Sequence, residues 1–152
     1  MSAPIQNRMD VVEAELSGAI AGTSIEITDK AIWKIAAVSL GATELGGSET
    51  NTSFAFPAGG AIFLDAWLNV TDAEAGGTVD VGTQGTSNDP DGILDGASLA
   101  TLGYVGQVGG AVGALRGRFI TGADPVSVTS SGDLNSCAAT LYISYLELPD
   151  LS

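Results

Sequence analysis

The chain has no histidine, a single cysteine and only five basic residues among 152. Each shortage closes off a class of function. Without imidazole, no His base activates a serine or cysteine nucleophile and no His ligand holds zinc. One thiol, Cys137, cannot close a disulfide within the chain, so the fold does not depend on an oxidising compartment. It opens an apolar strand pattern with no base near it in sequence, and reads as a buried structural thiol. Five bases against 18 acids leave a net charge of −13, a field that repels a phosphate backbone and an anionic membrane surface. Neither nucleic acid nor membrane is therefore an expected partner. Aromatics make up 6%, few for the lined cleft of a sugar-cleaving enzyme. No apolar run approaches the roughly 20 residues of a membrane-spanning helix. The first residues, Met1-Ser2-Ala3-Pro4-Ile5-Gln6-Asn7-Arg8, lack the apolar stretch of a secretory signal, so synthesis as a soluble chain in a cytoplasm is expected.

What is present is small, apolar and rich in turns. Apolar residues form 45% of the chain, charged residues 15%, and there are 21 glycines. That length fits one domain with a core of its own. Short apolar runs separated by turn residues every 8 to 15 positions give about eight strands and predict an all-β fold, an antiparallel β-sandwich of jelly-roll type.

The first 24 residues read as an N-terminal arm, 25–148 as the sandwich and 149–152 as a short tail. Within the arm, Met9 to Leu16 has the pattern of a short helix. Val11, Val12, Leu16 and Ile20 are apolar enough to pack on a neighbouring subunit. Strands are expected at Ile25–Thr28, Ala31–Leu40, Thr52–Phe56, Ile62–Val70, Thr78–Gly82, Arg118–Thr121, Val126–Thr129 and Cys137–Leu148. Ala31–Leu40 is apolar on both faces, as in a strand covered on both sides. Strict alternation in Ile62–Val70 assigns Ile62, Leu64, Ala66, Leu68 and Val70 to the core. Phe63, Asp65, Trp67 and Asn69 then form a second face, mixed enough to be a subunit contact centred on Phe63 and Trp67. Ile62–Val70 and Thr78–Gly82 are expected to pair as a hairpin, which would bring Asp65 near Asp80. A catalytic carboxylate pair there is the weakest of the enzymatic options, and hydrogen bonding to neighbouring polar groups is the plainer role.

Asn88-Asp89-Pro90-Asp91-Gly92-Ile93-Leu94-Asp95-Gly96 is the sharpest local signal, read as an acidic loop. Asp89, Asp91 and Asp95 supply carboxylates for a hard cation such as calcium, and Gly92 lets the backbone turn its carbonyls inward. The glutamate that closes an EF-hand is missing. Asp-Pro-Asp-Gly is also a strong turn former for backbone reasons alone, so a plain turn stands beside the cation site as a reading. Arg116 and Arg118 flank Gly117 and are expected to meet acids of a neighbouring chain.

Leu64-Asp65-Ala66-Trp67-Leu68-Asn69-Val70, Thr78-Val79-Asp80-Val81-Gly82-Thr83 and Asp89 to Gly96 together resemble a pattern in small structural proteins of tailed phages, the head decoration or cement proteins and related virion proteins. Asp124-Pro125-Val126-Ser127-Val128-Thr129-Ser130 resembles another of their strands. The resemblance covers about 70 residues of the chain. It implies a β-sandwich that assembles, often as a homotrimer, on the outside of a capsid built by a major capsid protein, with an arm reaching a neighbour and no catalytic residues. The leading expectation is therefore a non-enzymatic virion protein that decorates and stabilises a capsid. The alternative is a calcium-dependent carbohydrate-binding or fibre/tail module of jelly-roll type, and a small enzyme comes third.

Overall fold

The computed structural model describes residues 31–86, 88–106, 113–121 and 123–149. The arm, the strand expected at 25–28 and most of the short tail lie outside these residues.

Nine strands follow one another: β1 (Ile32–Leu40), β2 (Thr50–Ala55), β3 (Ala61–Asp72), β4 (Thr78–Thr83), β5 (Asp89–Ser98), β6 (Gly103–Gly106), β7 (Phe119–Ile120), β8 (Pro125–Ser130) and β9 (Ala138–Glu147). No helix occurs among the described residues. One sheet has the order β1-β9-β3-β6, with β7 also paired to β3, and the other the order β2-β8-β4-β5. All pairings are antiparallel. The two sheets close over a single apolar layer, as the expected β-sandwich does.

Period-2 alternation builds that layer. On β9, Ala139, Leu141, Ile143 and Tyr145 face inward and are buried, as the sequence pattern predicts. Val79 and Val81 of β4 and Val126 and Val128 of β8 face them from the second sheet. Phe54, Phe56 and Tyr145 form an aromatic cluster between the sheets, with ring centroids 5.4 to 5.8 Å apart. Cys137 is buried beside the start of β9, and burial, followed by the charges of Glu74 and Asp72, pushes its thiol pKa up.

Three expectations are corrected. The first is the hairpin. β3 pairs with β9 along one edge and with β6 and β7 along the other, so no edge remains for β4. The turn through Ala75, Gly76 and Gly77 carries the chain across to the other sheet, and Asp65 and Asp80 lie in different sheets. Turn residues specify a reversal of the chain, not whether it joins strands within a sheet or between two.

The second is the acidic loop, which is strand β5. Pro90 is tolerated because β5 is the edge of its sheet, and a missing N–H costs nothing where no neighbour waits for it. Its turn-forming residues make a wide bulge, five steps from Asp89 to Leu94 against two from Thr83 to Val81, and the burial of Ile93 and Leu94 keeps the bulged segment in the sheet.

The third is the phase of β3. The ladder to β9 slips between Phe63 and Asp65, which leaves Leu64 as the extra residue of a bulge. Ala61 and Phe63 face inward before the bulge, and Ala66, Leu68 and Val70 after it. Phe63 is thus a fully buried core residue, and Ile62 takes the outer face. The turn at Leu115–Arg118 secures the bulge: Gly117 N–H donates to Phe63 O at 2.8 Å and Phe63 N–H to Arg118 O at 3.1 Å.

Candidate interaction face

The register of the β1-β9-β3-β6 sheet determines which side chains stand together on its outer side. One row runs across four strands, Trp33 opposite Leu146, Leu146 opposite Ile62, Ile62 opposite Phe119. The next row is Ile35, Ser144 and Asp65. A third is Ala37, Tyr142, Trp67 and Gly106, and a fourth is Ser39, Thr140, Asn69 and Tyr104. Both tryptophans, two of the three tyrosines and one of the four phenylalanines lie on this one face.

Trp33 is 62% exposed, Tyr104 75%, Phe119 49% and Ile35 48%. Side chains of this size and chemistry, gathered on one sheet, mark an interaction surface. The polar groups of the face's second row are paired within the chain. Trp33 Nε1–H donates to Ser144 Oγ at 2.6 Å, and Asp65 accepts from the Ala66 N–H at 2.9 Å and lies 3.7 Å from the Arg116 guanidinium. Arg116 thus meets an acid of its own chain. On the other side of the sheet, in register with Tyr145 and Ala61, Lys34 is bridged to Glu147, which raises the lysine pKa.

The outer side of the other sheet has a different character. Thr78, Asp80, Asp95, Ser98, Thr129 and Asn51 stand there, with no aromatic side chain among the described residues. Asp80 Oδ1 accepts the Gly96 N–H at 2.7 Å, and Ser127 Oγ–H donates to Glu49 at 2.9 Å. Asp80 therefore serves the β4-β5 edge and is not part of an acid pair with Asp65.

Of the carboxylates proposed for calcium, Asp89 and Asp91 are neighbours at the start of β5, whereas Asp95 lies beyond the bulge, next to Leu94, which pairs with Val81. Among the described residues no group of three or more Asp, Glu, His or Cys side chains gathers to hold a metal ion. The Asp89 carboxyl is raised in pKa by burial first, then by the hydrogen bond and charge of Asp91; the charge of Arg118 opposes the rise.

Of the proposed contact residues, Val11, Val12, Leu16 and Ile20 lie outside the described residues. Phe63 belongs to the core for the reason given above. Trp67 stands on the outer face, with its ring stacked on Tyr142. Trp33, Ile35, Tyr104 and Phe119 complete the face and were not singled out from sequence. The available signal was the doubly apolar pattern of Ala31–Leu40. That pattern does not reveal that β1 is an edge strand whose first residues, Ile32 to Ile35, stand exposed on both sides.

No known protein family matches the chain, and no curated protein matches it. Among solved structures the chain is similar to a chain of the Cyanophage Pam1 capsid asymmetric unit, at 16% sequence identity and a TM-score of 0.49, over 85% of this chain and 92% of that chain. At that identity and score the likeness assigns neither family nor activity.

Proposed function

We propose that this chain is a virion structural protein that decorates the outside of a viral capsid and stabilises it by binding the shell, built by a major capsid protein, and its own copies. Its work is adhesion and involves no turnover. The observation that carries this reading is the contrast between the two outer faces: one aromatic and locally balanced in charge, the other small, hydroxylated and acidic. A module with one adhesive side and one highly charged side coats a surface and keeps the coated particles apart. Burying the aromatic side releases about 25 cal/mol per Å² of apolar area.

Two further features support it. The residues of β3, β4, β5 and β8 resemble those of tailed-phage decoration proteins, whose common state is a homotrimer. With β7 set aside, the orders β1-β9-β3-β6 and β2-β8-β4-β5 follow the double Greek key of a jelly roll, an architecture shared by capsid and lectin domains. Fold alone does not choose between those two uses. The side chains favour the first: among the described residues the carboxylates of the carbohydrate-binding alternative do not cluster for calcium, and Trp67 and Tyr142 stack on each other.

The test is co-sedimentation of the purified full chain with capsids assembled from the major capsid protein of the same virus. Saturable binding and a higher capsid melting temperature are expected. Capsids that sediment without the chain and melt unchanged would overturn the proposal.

A further inference from the structure

We infer that the outer face of the β1-β9-β3-β6 sheet is the surface on which a second copy of this chain docks. The inference rests on the reading of the protein as a self-associating structural module, and adds which side of the sandwich associates and why.

Charge identifies the occupant. The whole chain carries −13, so two copies repel each other over most orientations. The bases among the described residues are Lys34, Arg116 and Arg118, and all three sit on this sheet or in the turn that feeds β7. Lys34 and its partner Glu147 lie in register with Tyr145 and Ala61, on the other side of this sheet. Within the four rows of the aromatic face the one acid, Asp65, is offset by Arg116, so no acid stands there without a base beside it. Two identical acidic molecules meet there at the least electrostatic cost. A strongly basic partner would be drawn instead to Asp80, Asp95 and their neighbours on the opposite side.

The apolar rows supply the attraction. Trp33 and Phe119 stand exposed at the ends of a row whose middle, Leu146 and Ile62, is half-buried. Large aromatic anchors flanking aliphatic side chains are the composition of an interface centre. Pairing through the open edge of β1 is disfavoured by Lys34, since a lysine on an edge strand guards against unlimited strand addition. The sheet's face is left for the contact in place of its β1 edge.

The chain's two tryptophans, Trp33 and Trp67, both stand on this face, so intrinsic fluorescence reports on it directly. The experiment follows mass by light scattering and tryptophan emission, with acrylamide quenching, while the full chain is diluted from high-micromolar to nanomolar concentration. The expected result is a mass that is a multiple of 15.2 kDa when concentrated. On dissociation the emission should shift to the red and quenching should increase. Ile35→Asp and Phe119→Asp should each weaken association about tenfold or more, the effect of losing one anchor. Asn51→Asp on the opposite sheet should leave it unchanged. A mass of 15.2 kDa at every concentration, a dissociation that leaves tryptophan emission unaltered, or Asp variants that associate like the parent would each overturn the inference. Should a variant unfold, the emission of the unmodified chain still decides. A monomer that nevertheless co-sediments with capsids overturns this inference and leaves the proposed function standing. A chain that associates through its tryptophans but ignores capsids does the reverse.

Discussion

The indole of Trp67 lies almost parallel to the phenol ring of Tyr142, with centroids 5.5 Å apart and planes 15° from coplanar. The two residues are direct partners across the β3-β9 ladder, so the backbone register brings the rings together. A double-mutant cycle with Trp67→Leu and Tyr142→Leu should give a coupling of about 1 kcal/mol in urea unfolding, the range of paired aromatic rings. Strictly additive losses would mean the stack adds nothing beyond each ring's own burial.

Phe63 makes the complementary case. It is fully buried, and the bulge at Leu64 is what turns it inward. Phe63→Ala should cost about 3–5 kcal/mol of folding stability, visible as a lower urea midpoint. Phe119→Ala, on the outer face, should cost much less. Equal and small losses at both positions would contradict the inward phase of β3 ahead of the bulge.

The pair also shows what the sequence makes legible. Ala66, Leu68 and Val70 were assigned to the core by alternation, and Trp67 and Asn69 to the outer face, because each lies on the same side of the bulge and a period of two then holds. Ile62, Phe63 and Leu64 depart from the alternation because one inserted residue reverses the phase. That insertion is held by the hydrogen bonds that Phe63 accepts from the Gly117 N–H and donates to the Arg118 carbonyl, more than 50 positions away. The faces of β9 were legible throughout, since its ladder to β1 runs without a break from Ile32 to Leu40. The interaction face as a whole was not. Trp33, Trp67, Tyr104 and Phe119 come from four strands that only the sheet order places side by side. β5 differs from the expected loop for a related reason: its Asp, Pro and Gly do break the ladder to β4 between Asp89 and Leu94, but the burial of Ile93 and Leu94 keeps the segment in the sheet.

Gly82 of β4 lies close against the start of β5. A methyl group there would run into the backbone of Asp89 and Pro90, at the point where the β4-β5 register shifts. Backbone cannot rotate aside as a side-chain tip can, so Gly82→Ala must push β5 outward or break its pairing. A loss of about 1–3 kcal/mol is expected, the usual cost of overpacking. Gly132→Ala, with open space around the added carbon, should stay within about 0.5 kcal/mol. Equal midpoints for the two variants would show that β5 yields freely at this contact.

Asp89 makes the fold sensitive to pH. Burial and the neighbouring Asp91 raise the Asp89 pKa above its ordinary value of 3.8. The folded chain then holds this proton more tightly than the unfolded chain. Below pH 3.8 the carboxyl is protonated in both states and contributes no difference. As pH rises through that value toward the higher folded pKa, the folded state is obliged to ionise against its surroundings, and stability falls. Asp89→Asn removes that penalty while keeping the shape and a hydrogen-bonding group. Discounted for solvent screening at a mostly exposed pair, the gain at neutral pH should be about 0.5 kcal/mol, or about 2 °C in melting temperature. It should vanish in acid below the ordinary carboxylate range. A gain that persists there would reflect some property of the amide other than charge. The same variant tests the calcium expectation. Two adjacent carboxylates fall short of the roughly six to eight oxygens that calcium takes, so added calcium should shift the melting of the parent and of Asp89→Asn by the same small amount. A calcium-dependent rise present in the parent and absent in the variant would establish a cation site on β5.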